Sequence, residues 1–275
     1  NIDGRMRPTI LYSHDSHEDL SDAHSVAERL SRRLNVNVLC YEYTGYGWSH
    51  NVRTALSPQT LCNDILAVHE YVTKKLTVPN SLLVLYGKGL GTALSITLGC
   101  NMVEGQGLGG ILLEGGFANL QVLASYHDVQ SGLNATELRD WFNNGTAIEK
   151  SQCFVGPILV FHAYGDSRVP WKHAEMLSAT ISDKLGNGKL VLIPGVTHNN
   201  LWEGSSLPWK AARTFLDSVV AEHRKGKHIA SKMSEIPLRQ KLPPPPPPAR
   251  PRPRPAPPPP ARSSPRPPLS TEWPC

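Results

Sequence analysis

Six short apolar runs punctuate the chain: Thr9–His14, Val36–Tyr43, Leu82–Gly87, Gly110–Glu114, Pro157–His162 and Lys189–Pro194. They are rich in Val, Ile, Leu and Tyr and bounded by Gly, Pro or Asn. Continuous apolar character of this length predicts strands buried on both faces. Between the runs, apolar residues recur at three- and four-residue steps. Val26, Leu30 and Leu34 do so within Glu18–Leu34, and Leu61, Ile65, Val68 and Val72 do so after Ser57-Pro58. A serine cap followed by proline in the first turn is a helix start. Further helices are predicted to open near Leu90, after Pro170 and near Pro208, the last running to Val220. This alternation predicts an α/β fold: a mostly parallel sheet with helices on both faces. The stretch Gly116–Gln152 is less regular and more polar, with Trp141 and Phe142 as isolated aromatics. It reads as an insertion above the carboxyl ends of the strands, where ligands of open α/β sheets bind.

The pattern stops after Glu222. From His223 to Cys275 the chain holds 18 of its 25 prolines and 11 of its 28 Lys and Arg, against the acids Glu235 and Glu272 alone, a net charge of +9. Residues 1–222 carry −4, so the basic balance of the whole chain belongs to its end. A basic domain wrapped around nucleic acid is not implied, and no specific nucleic-acid binding is expected. The organisation reads as an α/β domain over 1–222, a basic linker over 223–240 and a Pro/Arg-rich tail over 241–275. Proline lacks the amide donor and fixes φ, so the tail is predicted to be extended, solvated and disordered. Pro245-x-x-Pro248-x-Arg250 and Pro257-x-x-Pro260-x-Arg262 fit the P-x-x-P-x-R pattern of ligands for SH3- or WW-type modules. An unselected low-complexity run generates the same matches. The cationic stretch also predicts weak peripheral contact with anionic membranes.

No apolar run approaches the roughly 18–20 residues needed to cross a bilayer, and no secretory signal is read in residues 1–275. The chain opens at Asn1 without a methionine, which predicts an upstream segment, with any targeting or lipidation signal there. Five cysteines without CxxC spacing predict reduced, buried thiols in a cytoplasmic protein. Asn134-Ala-Thr and Asn144-Gly-Thr match the glycosylation pattern but carry little weight in such a chain. His14, His17, His24 and His50 show no metal-ligand spacing and read as surface or loop residues; no metal or other cofactor is expected.

Three positions carry candidate chemistry because they lie where strands end. Leu82–Thr92 reads as a strand, a glycine-rich turn and a helix, the context of a G-x-S-x-G nucleophile elbow. Gly87 and Gly91 are in place, but the central position is Gly89. A dinucleotide fingerprint would need glycine at Thr92, and no Gly-Lys-Ser/Thr follows to make a phosphate loop. Asp166 leaves the end of the fifth run, and His198 follows the sixth by a few residues. Nucleophile position, acid, histidine is the order of a hydrolase triad on this kind of sheet.

Together with Thr9–His14 and the following Asp19-Leu20, Tyr41–Ser49, Leu85–Thr92 and Gly195-x-x-His198-Asn199, these motifs resemble the α/β-hydrolase superfamily. Within it they resemble serine hydrolases related to the protein depalmitoylases. The resemblance runs from Thr9 to about Val220, and the family's first strands are expected before Asn1. It implies that Asp166 is the triad acid and His198 the base, and that Gly89 stands at the nucleophile position. Leu90 would give one oxyanion amide and Ser16 or His17 the other. Asp15 stands where the family has glycine.

Glycine has no hydroxyl, so no acyl-enzyme can form at position 89. Loss of the serine costs a serine hydrolase about 10⁶ in kcat, with roughly 10³–10⁴ over water remaining. A carboxylate at Asp15 would oppose the charge of a developing oxyanion. The leading expectation is a catalytically impaired hydrolase fold, a pseudoenzyme. It would keep a site for an acyl group or lipidated protein and recruit partners by its tail. Two other readings stay open: an acyl ester, thioester or amide hydrolase in which the Asp166–His198 dyad activates water, and a polyproline scaffold with a passive domain.

Overall fold

The computed structural model describes residues 7–50, 56–102, 107–131, 141–151, 156–186 and 188–225. The chain divides into two units, Asn1–Lys232 and Met233–Cys275. The second lies outside the described residues, and with it Pro245, Pro248, Arg250, Pro257, Pro260 and Arg262; Asn134 and Cys153 lie outside them too.

Each apolar run forms a strand: β1 (Thr9–Ser13), β2 (Asn37–Cys40), β3 (Leu83–Lys88), β4 (Gly110–Glu114), β5 (Ile158–Ala163) and β6 (Gly188–Ile193). They form one sheet in the order β2-β1-β3-β4-β5-β6, with every pairing parallel. The run predicted over Val36–Tyr43 gives a shorter strand. Beyond Cys40 the chain turns inward, and the buried Tyr41 and Tyr43 meet the end of β1 instead of extending the ladder. Tyr41 Oη lies 2.9 Å from Ser13 Oγ, and Tyr43 donates to the His14 carbonyl at 2.7 Å. A buried tyrosine needs such a partner for its hydroxyl.

The helices are α1 (Leu20–Leu34), α2 (Pro58–Glu70), α3 (Leu90–Cys100), α4 (Leu120–Ser131), α5 (Asn144–Lys150), α6 (Lys172–Leu185) and α7 (Leu207–Arg224). Asp19 caps α1 and Ser57 caps α2, each in a capping box. The polar stretch Gly116–Gln152 supplies α4 and α5. Successive strand residues point to opposite faces, which splits the core into two layers. Leu11, Leu83, Leu85, Ile111, Leu113 and Val160 meet α2, α3 and α6 on one side. Ile10, Tyr12, Val84, Tyr86, Leu112 and Phe161 meet α1 and α7 on the other. Strands covered on both faces must be apolar throughout, which is why the runs do not alternate.

One reading needs correction. His14 is fully buried, not a surface residue: its ring stacks on Tyr43 at 3.9 Å and its Nε2 lies 3.1 Å from Glu42 Oε1. Asn144 is buried within α5 and donates from Nδ2 to the Phe117 carbonyl at 2.8 Å, in keeping with the little weight its glycosylation pattern carries. Cys40, Cys62 and Cys100 are free and half-buried, and burial pushes their thiols up, to about 12, 11 and 11 respectively. Among the described residues no helix is long and apolar enough to cross a membrane.

Candidate functional site

The connection from β1 runs outward to β2, and the next crosses back to β3. This reversal opens a crevice between the carboxyl ends of β1 and β3, where open α/β sheets place their ligands. Two turns meet there: the elbow between β3 and α3, and the loop after β1.

The elbow turns on Gly89, whose φ of 51° and ψ of −112° lie in a region that side chains rarely adopt. Its amide donates to the Glu114 carbonyl at 2.9 Å, tying the bend to β4. Gly91 packs α3 onto β1 so closely that a Cβ there would strike the Ser13 carbonyl. The first amide of α3, Leu90 N–H, points back into the crevice.

The loop after β1 brings Asp15 to the same point. Its Oδ1 accepts the Ser16 amide at 2.6 Å and the Leu90 amide at 3.2 Å. Its Oδ2 lies 2.9 Å from His198 Nε2 and 3.0 Å from His17 Nδ1. The backbone of Asp15 is clamped as well: its amide donates to Glu18 Oε2 at 3.1 Å, and its carbonyl lies 2.9 Å from His14 Nδ1. Glu18 in turn pairs with the buried Lys88 ammonium at the end of β3. Burial opposes ionisation of Asp15, but the His17 and His198 bonds and charges prevail and hold it far below the usual carboxylate range.

Asp166 sits in the turn after β5. Its Oδ1 accepts the amides of Arg168 and Val169, both at 2.9 Å, and its Oδ2 lies 2.6 Å from His198 Nδ1. Burial again opposes ionisation, and the His198 bond and charge outweigh it, so Asp166 is lowered too. His162, on β5 beneath it, has Nε2 2.8 Å from the Val169 carbonyl. His198 follows β6 and is 5% exposed. Burial pulls its pKa down, but bonds to Asp15 and Asp166 push it up to about 9. At neutral pH it is therefore an imidazolium donating from both ring nitrogens to two carboxylates.

The structure thus gathers Asp166, His198, Gly89, Leu90 and Ser16 at one point. Asp15 fills the space between them. The Ser16 amide joins that of Leu90 on Asp15 Oδ1, whereas His17 approaches Asp15 through its ring. Sequence reasoning placed Asp15 beside the site but not in it. It passed over Glu18, Lys88 and Glu114 entirely. Glu114 lies beneath the elbow, accepting from Tyr86 Oη and from Trp202 Nε1, and burial raises its pKa. No spacing signal marks these charged residues, because single charges in a loop or at a strand end read as surface.

Beside Asp15 opens a cavity of about 490 Å³. Tyr46, Phe117, Leu120, Leu123, Trp141 and Val169 form apolar wall, and Asp15, Gly89, Leu90 and His198 form its base. Arg168, Ser16 and Ser167 also line it. Helix α4, from the polar insertion, thus contributes apolar wall above the strand ends.

No family model matches the chain. It is 26% identical over 209 residues to the alpha/beta hydrolase domain-containing protein aho-3 of Caenorhabditis elegans, an alignment covering 76% of this chain and 57% of that protein. It is 24% identical over 232 residues to the alpha/beta hydrolase domain-containing protein WAV2 of Arabidopsis thaliana, covering 79% and 72%. Thus the chain spans just over half of the first relative's length. Among solved structures, Est1E from Butyrivibrio proteoclasticus with bound ferulic acid superposes with a TM-score of 0.60 at 17% identity, covering 80% of this chain and 92% of Est1E. Parallel sheet, strand order and solved neighbours agree on the α/β-hydrolase fold, and the curated relatives to which the chain is similar are α/β-hydrolase domain-containing proteins.

Proposed function

We propose that this hydrolase-fold protein is catalytically impaired and serves to bind an acyl group, with ancestry among serine hydrolases of the depalmitoylase-like kind. The observation that carries this reading is the Asp15 carboxylate. It accepts both amides that an oxyanion would need, and it bonds the nitrogen with which His198 would act as base. Position 89 offers no hydroxyl to attack with. Catalysis of acyl transfer needs donors aimed at the charge that develops in the transition state. Here those donors are satisfied before any substrate arrives, by a group of the same charge.

The rival reading, water activated by the Asp166–His198 dyad, requires a free lone pair on His198 Nε2. That nitrogen faces Asp15, and the ring is held protonated. The apolar wall supports retained binding of an acyl chain, since ligand sites are mostly apolar with a few polar groups at one end. For the tail, we propose recruitment of SH3- or WW-type modules through the Pro257–Arg262 and Pro245–Arg250 motifs.

A fluorophosphonate probe and a short-chain acyl thioester test the catalytic claim together. The expected result is no labelling and turnover at the buffer rate. Labelling of Ser16 or Ser167, or turnover abolished by His198→Ala, contradicts it.

A further inference from the structure

We propose that Asp15 sets the head-group preference of the pocket: the site accepts neutral long-chain acyl compounds and rejects the carboxylate of a free fatty acid. This rests on the acyl-binding reading above and adds to it the class of ligand.

The argument starts from where an anion would sit. Two converging amides and an imidazolium make the strongest anion seat at the base of this cavity, as charge-assisted bonds to such donors are about twice as strong as neutral ones. All of them are taken. Ser16 and Leu90 point at Oδ1 of Asp15, and His198 and His17 point at Oδ2. A ligand carboxylate pushed to this depth finds no open donor among them. It also meets like charge, because Asp15 and Asp166 flank the single His198 cation. Desolvating a carboxylate without a partner is heavily penalised. An ester or hydroxyl head brings no charge, while its chain gains the same contact with Phe117, Leu120, Leu123 and Trp141. The protein's own side chain therefore acts as a permanently bound competitor for acids and leaves neutral acyl groups unopposed.

Calorimetry on the full chain at pH 7.5 tests this with two probes, lauric acid and its glycerol monoester. The monoester is expected to bind at least about tenfold more tightly. In Asp15→Gly the seat is vacated, and laurate is expected to gain about tenfold or more while the monoester changes little. Asp15→Asn keeps the seat filled without charge, so laurate affinity should fall between the two. It also provides a second variant, with thermal melting as the control, if the glycine variant does not fold.

Laurate binding as tightly as the monoester to the unaltered protein overturns the proposal, as does an unchanged ratio in folded Asp15→Gly. Laurate binding that is lost in Arg168→Ala overturns it as well, by placing the head group at Arg168. Failure of both probes to bind the unaltered protein overturns the acyl-binding reading itself, and the head-group assignment with it.

Discussion

The carboxylate of Asp15 occupies the space where a side chain on Gly89 would begin: a Cβ built there would collide with Asp15 Oδ1. The two residues are therefore coupled. Glycine at 89 removes a hydroxyl, and it also makes room for the group that replaces it. Gly89→Ala should destabilise the domain by at least about 2 kcal/mol, through overpacking and through the left-handed backbone at this position. Adding Asp15→Gly should recover part of that loss, so a double-mutant cycle in urea should show coupling. Additive effects would mean that the two side chains do not compete for this space.

His198 gives the domain a pH signature. Its folded pKa of about 9 lies above the roughly 6.5 of an unfolded histidine, so its contribution is complete below about 6.5 and lost as pH rises to about 9. The size is on the order of 3 kcal/mol, shared with both carboxylates. Asp15 and Asp166, whose pKa values are lowered, contribute above the unfolded carboxylate range and lose that contribution as pH falls. Stability should therefore decline on the alkaline side, and Asp15→Asn should flatten the decline. An imidazole signal from His198 that titrates near 6.5 by NMR would contradict this.

Lys88 and Glu18 hold the Asp15 loop from below. Lys88 is buried and Glu18 partly so, and Glu18 also receives the Asp15 amide and, at 3.4 Å, the Tyr12 hydroxyl. Lys88→Ala should cost about 2–4 kcal/mol, because it leaves the partly buried Glu18 carboxylate without its cation. Lys88→Met combined with Glu18→Gln should be markedly less damaging. Equal losses from the single and the double variants in chemical unfolding would show that the pair does not matter as a pair.

The apolar wall can be filled. Leu120 is half-buried at the start of α4 and lines the cavity. Leu120→Trp should abolish binding of a long-chain monoester while leaving the melting temperature within a few degrees. Unchanged affinity would place acyl binding elsewhere.

The strands and most helices were legible because burial on both faces forces unbroken apolar runs. Gly110–Glu114 matches β4 residue for residue, and Ser57-Pro58 marks the start of α2. Asp166, His198 and the elbow could be placed because strand ends fix their positions in any sheet of this topology. What stayed hidden depends on side-chain direction. Asp15 was visible as a departure from the family pattern, but whether its carboxylate turned inward is a rotamer question. His14, Glu18, Lys88 and Glu114 looked like ordinary polar residues, because their burial is decided by partners far along the chain. The ends of Val36–Tyr43 were misread because buried tyrosines continue an apolar run after the ladder has stopped.

The account stands or falls on whether the remaining machinery is aligned and blocked only by Asp15. Fluorophosphonate labelling of the unaltered protein, Gly89→Ser, and Asp15→Gly combined with Gly89→Ser tests this most directly. The account predicts labelling of the combined variant alone, at residue 89 and dependent on His198. Labelling of Gly89→Ser with Asp15 intact, or of a folded combined variant nowhere at all, would contradict it.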